Sequence, residues 1–228
     1  MHQSSEGYIP DSDVLVRVHR AAWEGDLEAC CQLGRCYDRG WCGPRDERQA
    51  FDWFLRAARA GHNEAAYRAA RLLLRKTGPA DSVKAVRDAL QRAAHGGYAE
   101  AQALLGWCYQ RGRLVDHVDP LVAIEWLQRA ARAGSASGRY FLALNLQRGF
   151  GILRDERAAV THLELAAEQS DVRAQLALGR ALSEGRGLTR DLAAALGWYR
   201  AAASRGYARA QYHLGLLLAG GAAPEQDD

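Results

Sequence analysis

Several things are scarce or missing in this 228-residue chain, and each absence removes a class of protein. No run of about 18 apolar residues occurs, so no segment is long enough to cross a bilayer as a helix. Met1 to Asp13 is polar and lacks the basic start and apolar stretch of a secretory leader. A cytoplasmic home is therefore expected, or a periplasmic one if a leader was removed ahead of Met1. Lysine occurs only as Lys76 and Lys84, so the basic residues are nearly all arginine. A net charge of +3 is too balanced to mark the whole surface as a binder of nucleic acid or membrane.

Catalytic motifs are missing as well. There is no HExxH and no lysine-bearing phosphate loop, and Gly134 to Gly138 has Ala136 where a nucleophile elbow needs serine. Gly185-Arg186-Gly187 follows a helical pattern rather than a strand, which removes the context of a dinucleotide site. The reading is a protein that is not an enzyme, with no catalytic residue, metal site or cofactor assigned. Cysteine is limited to Cys30, Cys31, Cys36, Cys42 and Cys108. An odd number cannot all pair, no CxxC occurs, and the spacing of Cys36 and Cys42 fits no structural zinc pattern. The expectation is free thiols packed as small hydrophobes, with a metal or redox site as the alternative. His162 holds the place taken elsewhere by Trp53, Trp126 and Trp198, and is read as a core or boundary substitution.

What the chain has is periodicity. Ala29, Ala65, Ala101, Gly138, Ala174 and Ala210 open units about 36 residues long, a period that means a helical array. In each unit a first helix carries apolar residues one, five, eight and nine along, as in Ala101, Leu105, Cys108 and Tyr109, which makes one buried stripe. Position six is always small: Gly34, Ala70, Gly106, Ala143, Gly179 and Gly215. Close approach of a neighbouring helix is expected there.

Position twelve is the stop: Gly40, Gly112, Gly149, Gly185 and Gly221, with Lys76 the exception and Gly78 nearby. Asp46, Ser82, Asp119, Asp155 or Asp191 then caps a second helix. That helix alternates small residues (Ala57, Ala58; Ala130, Ala131) with large ones (Trp53, Phe54; Trp198, Tyr199). The pattern predicts an all-α fold of five helix-pair repeats, a leading half at Asp11 to Glu24 with Asp11 or Ser12 as its cap, and a trailing half at Ala210 to Gly220. The domain is expected to run from 11 to 221, between a flexible N-terminus at 1–10 and a flexible acidic tail at 222–228.

The recurring Ala, Leu-Gly, Gly-x-Gly, Asp, Ala, Trp-Tyr, Ala-Ala, Gly pattern resembles the Sel-1-like repeat family, with Leu33-Gly34, Leu105-Gly106, Leu178-Gly179 and Leu214-Gly215 in register. Gly-x-Gly survives only at Gly149, Gly151 and Gly185, Gly187, and the second repeat has Ala89 in place of tryptophan. The resemblance implies a right-handed α/α superhelix, tetratricopeptide-like, acting as an adaptor. It also implies that this chain lies outside the cysteine-rich branch with one regular disulfide per repeat, because its cysteines are not so placed.

First-helix positions four, seven and eleven are left free by the buried stripe and would line an inner face: Gln32, Arg35, Arg39, then Arg68, Arg71, Arg75, then Leu104, Trp107, Arg111, then Phe141, Leu144, Arg148, then Ala177, Arg180, Glu184. This describes a basic N-terminal half and an aromatic centre, both suited to partner binding. The expected function is a protein-interaction scaffold holding a protein or peptide segment, acidic with apolar anchors, in that groove. The alternative is a protein that neutralises a toxin or effector enzyme, using other surfaces such as the loop Trp41 to Arg45. Self-association through the C-terminal half repeat, with Leu214, Leu217 and Leu218, is a further option. Nucleic acid is a minor one, since a row of arginines can follow phosphates.

Overall fold

The computed structural model describes residues 12–75 and 78–220, and every regular element among them is helical. The chain divides into two compact units, Met1–Val118 and Asp119–Asp228. The first holds α1 (Ser12–Glu24), α2 (Leu27–Arg39), α3 (Glu47–Arg59), α4 (Asn63–Leu74), a 3₁₀ turn (Ala80–Ser82), α5 (Val83–His95) and α6 (Ala99–Arg111). The second holds α7 (Pro120–Arg132), α8 (Ala136–Arg148), α9 (Glu156–Glu168), α10 (Val172–Glu184), α11 (Leu192–Ala203) and α12 (Ala208–Gly220). Within each unit every helix packs on the next. No described helix is long and apolar enough to cross a membrane. The expected cap at Asp11, the exception at Lys76, the stop at Gly221 and both flexible ends lie outside the described residues.

Local chemistry explains the boundaries. Asp46, Asp119, Asp155 and Asp191 each accept from backbone N–H groups of the second helix that follows, as expected. Ser82 does not: it ends the 3₁₀ turn in a helical conformation and makes no side-chain cap, so α5 grows directly out of that turn. First helices have caps that the pattern did not announce, from Asp26, Ser135, Asp171 and the ring of His62. Gly40, Gly112, Gly149 and Gly185 end their helices in the left-handed conformation.

Packing accounts for the small residues at position six. A Cβ placed on Gly34 would fall 2.5 Å from the Phe54 ring, and one on Gly179 would fall 2.6 Å from the Tyr199 ring. In the first and fifth repeats the second helix thus lays an aromatic ring against the backbone of the first. On α12 the equivalent Gly215 has nothing within 4 Å. A polar fastener joins several first helices to the second helix before them. The buried amides of Gln102 and Gln175 donate to the carbonyls of Ala94 and Ala167, at 3.0 and 3.2 Å, and the Cys30 thiol donates to Ala22 at 3.4 Å. In the second unit Leu127, Leu142, Leu146, Leu163 and Leu178 form one core spanning α7 to α10.

The free-thiol expectation fails at two positions. Cys36 and Cys42 form a disulfide with Cα atoms 5.3 Å apart, tying the end of α2 to the loop after it. The tight turn at Gly40 brings the two sulfurs together, a proximity that spacing alone does not reveal. Cys30, Cys31 and Cys108 are free and buried. Burial pushes Cys31 up to about 11 and Cys108 up to about 12, so both remain protonated thiols at neutral pH.

Candidate interaction surface

In the first unit the predicted stripe is present but partly spent on internal pairs. Arg35 lies 2.5 Å from Glu64 and Arg68 lies 2.6 Å from the same carboxylate, linking α2 to α4. Burial works against the charge of Glu64, but hydrogen bonds and attraction from Arg68 and Arg35 outweigh it and hold the carboxyl below its usual range. Gln32 is tied to Glu28, which also takes His62 at 3.1 Å. Arg39 is exposed and stacks 4.7 Å over Trp41, and Arg71 is exposed and sits 5.5 Å from the Tyr67 ring. Arg75 reaches Glu47 at 3.9 Å. Leu104 and Trp107 are half-buried, while Arg111 is exposed.

The second unit carries the more open basic surface. A cavity of about 360 Å³ runs over α8, α10 and the start of α12. It gathers the predicted Leu144, Arg148, Arg180 and Glu184 with residues that the stripe did not include, among them Tyr140, Arg173, Arg186 and Arg209. Ala177 is part of its lining, whereas Phe141 is outside it and packs against the core of α7 to α10. Arg173 is firmly held: its guanidinium lies 4.8 Å over the Tyr140 ring and 5.2 Å over Phe141, bonds Ser137 at 2.8 Å and pairs with Asp171 at 2.5 Å. Glu184 pairs with Arg186 at 2.6 Å and approaches Arg180 at 3.7 Å. Arg148 and Arg209 are exposed at the rim.

Both units therefore combine paired and exposed arginines. They differ at the residue just before each repeat opener, which reads Glu28, Glu64, Glu100, Ser137, Arg173 and Arg209 along the chain. In the first unit it is acidic, and Glu28 and Glu64 pair with Arg35 and Arg68; in the second it is neutral at Ser137 and basic at Arg173 and Arg209. That series lies outside positions four, seven and eleven.

Two further hollows lie in the second unit. One, of about 490 Å³, is lined by Leu192, Leu196, Leu216, Leu217 and Leu218 of α11 and α12. Leu214 and Leu217 are half-buried and Leu218 is half exposed. The other, of about 360 Å³, lies among α7, α8 and α9 and includes His162. No cluster of three or more metal-ligating side chains occurs among the described residues.

Known proteins share this architecture and sequence. The Sel1 repeat model matches residues 27–62, 99–135, 136–171, 172–207 and 208–228, more than half of the chain, and skips the divergent second repeat. A Sel1 repeat protein from Oxalobacter formigenes is 27% identical with a TM-score of 0.74, over 93% of this chain and 94% of its own. The protective antigen c5321 of uropathogenic Escherichia coli is 32% identical with a TM-score of 0.70, over 93% of this chain and 45% of its own. Chitin synthase regulator SKT5 of Saccharomyces cerevisiae is 31% identical over 172 residues, 68% of this chain, and the match spans only 25% of that protein. Sel1 repeat proteins generally act as protein–protein interaction scaffolds, and the fold is typically non-catalytic. With matching repeats from Leu27 onward, the chain belongs to the Sel1 repeat family.

Proposed function

We propose that this protein is a non-enzymatic adaptor that holds an acidic, partly apolar segment of a partner across the first helices of its second unit. The observation that carries the reading is the groove over α8, α10 and α12, where Arg148, Arg173, Arg180, Arg186 and Arg209 outnumber two carboxylates, Glu184 in the lining and Asp171 paired with Arg173. Guanidinium groups grip carboxylates through paired, directed hydrogen bonds, and Arg173 is pre-oriented by its aromatic platform, which lowers the entropy lost on binding. Leu144, Leu176 and Ala177 supply apolar floor between the charges. Arg71, Trp107 and Arg111 form a smaller candidate contact on the first unit.

The test uses a fluorescent peptide of alternating glutamate and leucine, followed by anisotropy. Arg148→Glu and Arg209→Glu reverse charges at exposed rim positions and should leave the fold intact. Together they should weaken binding by roughly a hundredfold, about 1.4 kcal/mol for each tenfold step. Unchanged affinity in the folded double variant would remove the groove as the binding site.

A further inference from the structure

The cavity among α7, α8 and α9 stands where the repeat pattern elsewhere places an indole. Counted from the paired alanines that end each second helix, Trp53, Trp126 and Trp198 share one position, and His162 takes it in the fourth repeat. In the first repeat Trp53 meets Trp23 of the preceding second helix edge to face at 5.3 Å, and Arg56 covers both rings at 5.2 and 5.5 Å. The corresponding trio in the second unit is His162, Arg132 and Leu165, and all three line the cavity. Two large rings have been exchanged for a smaller ring and a flexible chain, leaving about 360 Å³ of open space.

Its chemistry is one-sided. Leu142, Leu146, Ile152 and Leu165 make an apolar wall, and Arg132 and Arg139 bring positive charge with no acidic side chain in the lining. The Nδ1 atom of His162 is buried with no hydrogen-bond partner among the described residues. Burial, reinforced by the charge of Arg139, pushes this imidazole down from its ordinary value, so it stays neutral and adds no charge of its own at neutral pH. A buried polar atom without a partner is costly, and a ligand that reaches it gains accordingly.

We propose that this cavity is a second docking point, separate from the arginine groove, that receives an aromatic side chain of a partner polypeptide flanked by an acidic residue. The ring takes the place occupied by tryptophan in three other repeats, and the carboxylate faces Arg132 and Arg139. The complementarity of a flat apolar recess rimmed by two cations selects this pairing over a basic or purely aliphatic segment.

The experiment is an amide-resolved NMR titration of the full chain with acetyl-Asp-Trp-Asp-amide, alongside acetyl-Lys-Trp-Lys-amide and acetyl-Asp-Ala-Asp-amide. Signals of α7 to α9 should move with the first peptide and not with the other two. His162→Trp refills the recess, so it should weaken that binding about tenfold or more while keeping or raising Tm. Arg132→Glu, at an exposed position, should cause a similar loss and keeps the question decidable if the first variant misfolds. No movement in α7 to α9, equal movement with the lysine peptide, or full affinity in either folded variant would overturn the proposal. Variants of Arg148 and Arg209 should leave this titration unchanged, which separates its outcome from that of the groove.

Discussion

Gly185 and Gly187 stand two residues apart in one turn with nearly the same backbone, φ 69° and 74°, yet they should respond very differently to a methyl group. For Gly185→Ala the new Cβ would meet Arg190 no closer than 3.4 Å, at its Cβ, with the Arg190 backbone at 3.6 Å and beyond, all ordinary contacts. The cost is then the left-handed penalty of about 1–2 kcal/mol, offset by roughly 0.4–1 kcal/mol from the lost freedom of the unfolded chain. A net loss of about 0.5–1 kcal/mol results. At Gly187 the same backbone penalty applies, but the Cβ would also collide with the backbone carbonyl of Glu156 in the first turn of α9. Backbone cannot rotate aside as a side chain can, so the loop or the helix must move, at about 1–3 kcal/mol more. Gly187→Ala should therefore lose about 2–4 kcal/mol. Urea unfolding followed by circular dichroism measures both losses, and thermal melts of the two variants should differ in Tm by about 4–8 °C. Arg186 lies between these glycines and lines the groove, so Gly187→Ala should also weaken acidic-peptide binding more than Gly185→Ala. Equal losses of stability from the two substitutions would refute the steric argument and leave only the shared backbone conformation.

Other consequences are open to the same assays. Ser170 holds φ 64° at a position where Gly25, Gly61, Gly97, Gly134 and Gly206 also take positive φ, so Ser170→Gly should raise stability by up to about 1 kcal/mol in urea melts. Reducing the Cys36–Cys42 bridge, which closes a short loop, should cost about 2 kcal/mol, and alkylation of the unfolded, unreduced protein should label three thiols. Glu64→Gln should cost about 1–3 kcal/mol at pH 7 by removing the shared partner of Arg35 and Arg68. Because the Glu64 carboxyl is held below its unfolded value, its contribution is present above that value and is lost as pH falls through the lower folded one. The wild-type protein should thus lose stability more steeply than the variant below about pH 4.5, measured by thermal melts across pH.

The helical frame was legible because each repeat states the same pattern again: six openers, small residues at position six and acidic caps at four of the five second helices leave one solution. What escaped has a common physical cause. Periodicity reports which residues share a face of one helix, but the contacts that decide charge and chemistry cross between helices. Arg35 meets Glu64 29 residues away, and Cys36 meets Cys42 only because the chain doubles back at Gly40. His162 was correctly placed at the tryptophan position and is half-buried, yet the consequence depends on Arg132 from the preceding second helix, a residue with no periodic reason to be noticed. The same holds for the groove, whose sign is set by the residue before each opener. A residue that faces away from its own helix's buried stripe can still be the partner of the next repeat, so in a stacked array the unit to read is two adjacent repeats, and comparing neighbouring pairs along the chain shows where a filled position becomes an open one.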